Sequence, residues 1–322
     1  MPRCGFHRGA DVARIDANAA ASVVRGCAPQ FFVGTASWTD PTLVKSGAFY
    51  PPDIKTAEDR LRFYAAHFNT VEVDSTYYTL INRRVAQLWA ERTPPKFVFN
   101  VKAFGLLTQH PVETNRLPKA LLAMLPTQDR ARQRLTVVST EVREQAFEMF
   151  RGALQPLALS GKLGVLLFQF PPYFTRRGAN LDYLATLKTR LPDSDIAVEF
   201  RHPSWVVPDS SRAETMNFLS RHGLYYVSVD EPQSPSTVPS FLAVTGDCAY
   251  VRFHGRNRTN WFKRGLTTAE RYMYLYSEAE LQHWAAQLKR LSGVKRAFVI
   301  FNNCYQNFGV MNATTMAQIL RD

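Results

Sequence analysis

Only four cysteines occur in 322 residues, Cys4, Cys27, Cys248 and Cys304, far apart and with no CxxC pair. That scarcity excludes a disulfide framework and offers no zinc-site spacing, and it fits reduced packing thiols in a cytoplasmic protein. No apolar run approaches the ~20 residues needed to cross a bilayer, so no membrane partner is expected. The opening stretch MPRCGFHRGADVARIDANAAASVVRGCAP carries Asp11 and Asp16 and lacks a continuous apolar region. It does not read as a secretory signal, and residues 1–29 are expected to form a disordered lead to a domain spanning 30–322. There is no helix-turn-helix, zinc finger or RNP-like motif, which argues against sequence-specific nucleic-acid recognition.

What is present is an ordinary globular composition, 46% hydrophobic and 20% charged, with an excess of 39 Lys and Arg over 27 Asp and Glu. The net charge of +12 hints at an anionic partner. Eight short apolar runs recur, at 31–37, 70–75, 97–103, 163–170, 195–200, 224–230, 249–255 and 297–303. Helical patterns lie between many of them, including 57–68, 83–93, 144–157, 181–191, 213–223 and 277–291, and 313–322 gives a closing helix. Ser277 and Glu280 have capping-box spacing. Alternating strands and helices imply parallel βαβ units. Eight of them without a second composition shift predict a single-domain α/β (β/α)8 TIM barrel. The connection 103–162 is a long insertion between strands three and four, and the Pro- and Ser-rich 231–247 replaces or shortens the sixth helix.

In a barrel, alternate residues of each strand point into the lumen. With the apolar face taken as outward, the inward set is Gly34 and Ala36, with Trp38 beyond, then Glu72 and Asp74, Asn100 and Lys102, and Gln169. Strands five to eight add Glu199 and Arg201, Ser228 and Asp230, Arg252 and His254, and Asn302 or Asn303. Ionisable groups thus gather at the C-terminal strand ends, where barrel enzymes carry their sites. An inert plug would use Val, Ile and Leu, which avoid the desolvation cost of charge.

The segments GTASW (34–38), FYPP (49–52), FNTVEVDSTYY (68–78), LGVLLFQFPP (163–172), VEFRHPSW (198–205), VRFHGRN (251–257) and FNNCYQNFGVMNA (301–313) occur in the order seen in a known family. From about residue 31 onward the chain resembles the domain-of-unknown-function 72 family, the YecE-like proteins. That resemblance implies a TIM barrel with a cleft at its C-terminal face and implies no activity. Two positions depart from the family's usual pattern: Asp74 stands in place of Asn, and Cys304 in place of Asp.

Glu72, Glu199, His202 and His254 are the candidate catalytic groups, because acid–base chemistry needs carboxyl or imidazole groups whose pKa is tuned by burial and neighbouring charge. Trp38, Asp74, Lys102, Gln169, Arg201, Asp230, Arg252, Arg256, Asn302 and Asn303 are candidates for holding a substrate or anion. His110 is a weaker third histidine. Ligands for zinc or manganese are at hand, but no HxH or HExxH spacing selects a metal, and Lys102, Arg201 and Arg252 would oppose a cation, so no cofactor is expected. The stretch RFHGRNRTNWFKR (252–264) interleaves Arg256, Arg258, Lys263 and Arg264 with Trp261 and Phe262, a composition suited to phosphate and to ring stacking. The expectation is an acid–base enzyme acting on a phosphate- or carboxylate-bearing small molecule. The alternative is a nucleic-acid-binding protein or an endonuclease-like phosphodiester hydrolase. The oligomeric state is left open.

Overall fold

The structure, a computed structural model, describes residues 28–322; the expected disordered lead therefore lies almost wholly outside the described residues. Eight parallel strands form one sheet: β1 (Gln30–Thr35), β2 (Thr70–Val73), β3 (Val98–Lys102), β4 (Leu163–Gln169), β5 (Asp195–Glu199), β6 (Leu224–Asp230), β7 (Cys248–Phe253) and β8 (Arg296–Phe301). Each pairs with its sequence neighbour, and β1 pairs with β8. The ring closes between β1 and β2 through a bridge of Ala36 with Glu72, so the sheet is a nearly closed TIM barrel.

Around it run α1 (Ala57–His67), α2 (Arg83–Glu91), α3 (Thr140–Leu159), α4 (Gly178–Ala185), α5 (Asp209–Arg221), α6 (Glu278–Lys289) and α7 (Phe308–Ile319), with shorter helical turns between. Two of the helices start at a capping box supplied by the chain. Thr56 and Asp59 make a capping box for α1, and Ser277 and Glu280 make one for α6, each satisfying otherwise orphaned first-turn N–H groups. The insertion after β3 holds a small antiparallel pair, Val112–Glu113 with Arg134–Leu135, ahead of α3. Between β6 and β7 there is no helix. The strap 238–245 covers β6 instead, tied on by Ala243 N to Ser228 Oγ (3.1 Å) and Ser240 Oγ to the Val229 carbonyl (2.9 Å).

The seam between β1 and β2 uses side chains where a full ladder is missing. Asn69 accepts from Val33 N (3.0 Å) and donates to the Phe31 carbonyl (2.9 Å), while the Tyr64 hydroxyl accepts from Thr35 N (2.8 Å). Gly34 permits this approach, because a Cβ there would lie 2.1 Å from the Thr70 carbonyl oxygen. Both partners are backbone-fixed, so Gly34→Ala must open the seam. We expect that substitution to lower stability by about 1–3 kcal/mol, the usual cost of overpacking, read as a reduced urea midpoint; an unchanged midpoint would mean that the seam does not constrain the barrel.

Candidate functional site

Strand register settles which side chains share the lumen. Glu72 pairs with Asn100, Gln169 with Glu199, and Ile300 with Arg252, and in-register residues of neighbouring parallel strands face the same way. Lower in the barrel the lumen is filled by Phe32, Tyr250, Phe298 and Val227. Above them sits a charged layer.

Arg252 is its centre and is fully buried. Its Nε and Nη2 donate to both oxygens of Glu72, at 2.9 and 2.5 Å, and its Nη1 donates to Glu199 Oε2 at 2.6 Å and to Gln169 Oε1 at 3.3 Å. The Tyr250 hydroxyl adds a bond to Glu72 Oε2 at 2.8 Å. Glu199 Oε1 lies 2.6 Å from Arg201 Nε and 3.2 Å from His254 Nε2. Arg201 continues outward: its Nη1 donates to Glu231 Oε2 at 2.5 Å, and its Nη2 is 3.1 Å from His254 Nε2. Asn302 Nδ2 sits 2.9 Å from His254 Nδ1, which orients the ring. Glu72, Lys102, Gln169, Glu199, Arg201, Arg252, His254 and Asn302, four strands apart at the extremes, therefore meet in one layer. The charged groups that keep some exposure are Asp74 (27%), Lys102 (13%) and Arg201 (11%), and these face outward from the mouth. The Lys102 ammonium is 3.6 Å from Asp74 Oδ1 and rests over the Tyr77 ring, beyond hydrogen-bond range of the carboxylate.

The two buried carboxylates are pushed apart. Burial raises the Glu72 carboxyl to about 7, with Arg252 only partly offsetting it. Burial would raise Glu199 too, but the charges of Arg201 and Arg252, together with His254, outweigh it and hold Glu199 well below the usual carboxylate range. His254 is held neutral, lowered to about 3 by burial and by Arg201. His110 is lowered to about 4 by burial and by the nearby charges of Lys102 and Arg201, which places it at the same rim.

Five expected site residues lie elsewhere. Strand six presents the other face: Val229 is in register with Arg252, so Val227 and Val229 point inward, and Ser228 and Asp230 point out. The polar face serves the strap and the helices. Asp230 accepts from Trp284 Nε1 (2.8 Å), Tyr276 hydroxyl (2.8 Å), and Arg256 Nε and Nη2 (2.8 and 2.6 Å). Arg256 is thereby tied to Asp230 and also to Glu280 at 2.9 Å. Asn303 also faces out, with its amide on the Tyr274 carbonyl and on Asn312. His202 caps the turn Pro203–Trp205 through Ser204 and stays outside the charged layer. Trp38 is buried edge-on to Trp89 and Phe99, lining with Asp74 and Arg92 a cavity of about 210 Å³ beside the mouth. Cys304 donates its thiol to the Ala36 carbonyl at 3.2 Å and packs between β8 and β1.

Two residues that bond to the layer escaped the sequence reading. Tyr250 is two residues before Arg252, so strand alternation alone could have found it. Glu231 is the first residue past β6, in an irregular stretch where no periodicity assigns a direction. Among the described residues no cluster of three or more His, Cys, Asp or Glu is placed to hold a metal ion, and no helix is long and apolar enough to cross a membrane.

The Glu72 shift has a sign that can be checked. Its carboxyl titrates at about 7 in the fold against 4.5 as an ordinary carboxyl, so the folded state holds the extra proton between these values. The stability it contributes is full below 4.5 and is lost as pH rises through 7. Urea midpoints of the wild type relative to Glu72→Gln should fall steadily over that window. A difference that does not change with pH would place the Glu72 proton elsewhere.

Comparison with known proteins gives concordant matches. The family described as "Protein of unknown function DUF72" matches residues 32–322. The UPF0759 protein YunF of Bacillus subtilis is 32% identical over 296 residues, which is 90% of this chain and 94% of that protein. A DUF72 family protein of Thermotoga maritima superposes with a TM-score of 0.71 at 33% identity, over 91% of this chain and all of that one. One from Enterococcus faecalis does so with a TM-score of 0.72 at 25% identity, over 91% and 96%.

Proposed function

The chain belongs to the DUF72 family, and from that premise we propose that it is an acid–base enzyme whose site is the C-terminal barrel mouth, acting on a small molecule bearing a phosphate or carboxylate. The observation that carries this reading is one guanidinium, Arg252, held between two buried carboxylates with opposite pKa pressure. Pairs of titratable groups whose surroundings drive them apart are how one site keeps an acid and a base at the same pH. Glu72 is the group that exchanges a proton near neutrality. Glu199 stays ionised, and Arg252 fixes both.

The Lys102 ammonium supports an anion as the ligand. Lys102, Arg201 and Arg252 oppose Asp74, Glu72, Glu199 and Glu231, so the mouth is neutral when Glu72 carries a proton. Among the described residues no acceptor lies within hydrogen-bond range of the Lys102 ammonium, which keeps an exposed edge. An anion bound there leaves the mouth with surplus negative charge, which favours keeping the proton on Glu72. Binding and protonation are thereby coupled, and the bound state is the one primed to donate.

Sulfate tests this, because its charge is constant between pH 6 and 8. Millimolar sulfate should raise the melting temperature more at pH 6 than at pH 8, Lys102→Met should remove the shift, and Glu72→Gln should remove its pH dependence. No shift with sulfate, phosphate or small carboxylates, or a shift that survives Lys102→Met, would defeat the reading.

A second reading, nucleic-acid binding, draws on Arg258, Lys263 and Arg264, which are exposed beside the exposed Phe262. It requires duplex affinity to fall with log salt at a slope near −0.9 per phosphate neutralised. It also requires that affinity to vanish when those three residues become Glu, with the sulfate response intact.

A further inference from the structure

His254 and Glu199 have no exposed surface, so a ligand meeting them needs a part of the mouth to move. The segment after β7 is built to do so. Short helical turns at Arg258–Trp261 and Thr268–Arg271 fold on each other. Among the described residues, every hydrogen bond made by 258–272 has its partner within 256–273. Asn260 holds Asn257 and the Glu270 carbonyl, Thr267 and Glu270 form a capping box, and Arg271 reaches the Lys263 carbonyl. The two ends meet where Asn257 Nδ2 donates to the Met273 carbonyl at 2.8 Å. A compact surface loop with adjacent ends that is bound by its own groups is an Ω-loop, a form often used in function.

The feet, by contrast, are pinned hard. Glu280 Oε1 accepts from Arg256 Nη1 (2.9 Å) and from the Tyr274 hydroxyl (2.7 Å), clasping both ends with one oxygen. Arg256 also grips the buried Asp230, Gly255 N donates to the Tyr276 hydroxyl (2.9 Å), and Asn303 donates to the Tyr274 carbonyl (2.8 Å). Gly255 has φ +83°, and a Cβ there would meet Tyr274 Cβ at 2.8 Å, so only glycine lets the two feet lie side by side. What the loop presents to the site is aromatic. Trp261 and Tyr272 lie edge to face, 5.6 Å apart, with ring centres 6.4 and 6.0 Å from His254.

We propose that residues 257–273 are a lid that swings on the feet clasped by Glu280, is shut in this structure, and opens to uncover His254 and the Glu199–Arg201 side of the mouth. The proposal rests on the reading of that mouth as a ligand site, but its mechanics need no ligand. Sealing by Trp261 and Tyr272 would exclude water from the charged layer once a ligand is in, which strengthens every interaction there.

The test compares two buried reporters on one strand. His254 is labelled with diethyl pyrocarbonate and Cys248, buried at the base of β7, with N-ethylmaleimide, each rate being divided into its rate in the denatured chain. Cys248 reports global unfolding and His254 reports any opening, and local opening is far commoner than global unfolding. His254 should be protected about 100-fold less than Cys248 if the lid moves alone. Glu280→Gln, which loosens both feet, should lower His254 protection further and leave that of Cys248 nearly unchanged. Replacing 258–272 by two glycines, joining ends that already touch, should yield a folded protein with His254 freely labelled. Equal protection of the two residues in the wild type would overturn the proposal. So would His254 that remains protected after the excision. These outcomes are independent of whether sulfate binds, so a failed lid and a failed anion site are told apart.

Discussion

The Arg252 guanidinium in the dry lumen is the constraint around which the upper barrel is arranged. A buried cation is tolerated only when paired and hydrogen-bonded, and here the partners arrive from β2, β4 and β5, each reaching across to β7. Glu72 meets it with both oxygens, the fork geometry that suits arginine and that lysine would not reproduce. Tyr250 takes a remaining lone pair of Glu72, and Arg201 with His254 attends to the free oxygen of Glu199. Strand register, seam closure and side-chain alternation all have to be right at once for these atoms to meet.

Such a layer is a poor way to stabilise a barrel, because desolvating the ions offsets most of their attraction and an apolar layer of equal volume does as well or better. On the proposed reading, its value lies in preorganisation. Donors and carboxylates held by neighbours from several strands need no rearrangement when a ligand's charge arrives. In the proposed site, the gradient from fully buried Arg252, Glu72 and Glu199 to the partly exposed Lys102, Asp74 and Arg201 separates an inner set that orients from an outer set that a ligand would touch.

The outward turn of Asp230 has its own physical logic. Where 231–247 supplies a strap in place of a helix, β6 is covered by irregular backbone whose polar groups need partners, and Ser228 answers on that face. Asp230 becomes a fully buried node for Trp284, Tyr276 and Arg256, and that node anchors the base of the segment after β7. One carboxylate taken from the sequence as a mouth residue thus belongs to the frame that holds the mouth's cover.

Period-two alternation and the eight strands were determined by the amino-acid sequence alone, because apolar spacing directly encodes which residues of a strand share a face. It was enough to bring Glu72, Lys102, Gln169, Glu199, Arg201, Arg252, His254 and Asn302 together in expectation. Which of two faces is the lumen is not encoded in a single strand. Polarity decides it only where a helix covers the outside, and it misdirects where a strap does, as at Ser228 and Asp230. The pairing of Asn303 with α7, the capping role of His202, the recruitment of Glu231 from an irregular loop and the folding of Trp261 and Tyr272 onto His254 all depend on residues distant in the chain. Only the tertiary structure decided those, because the interactions responsible have no local pattern to read.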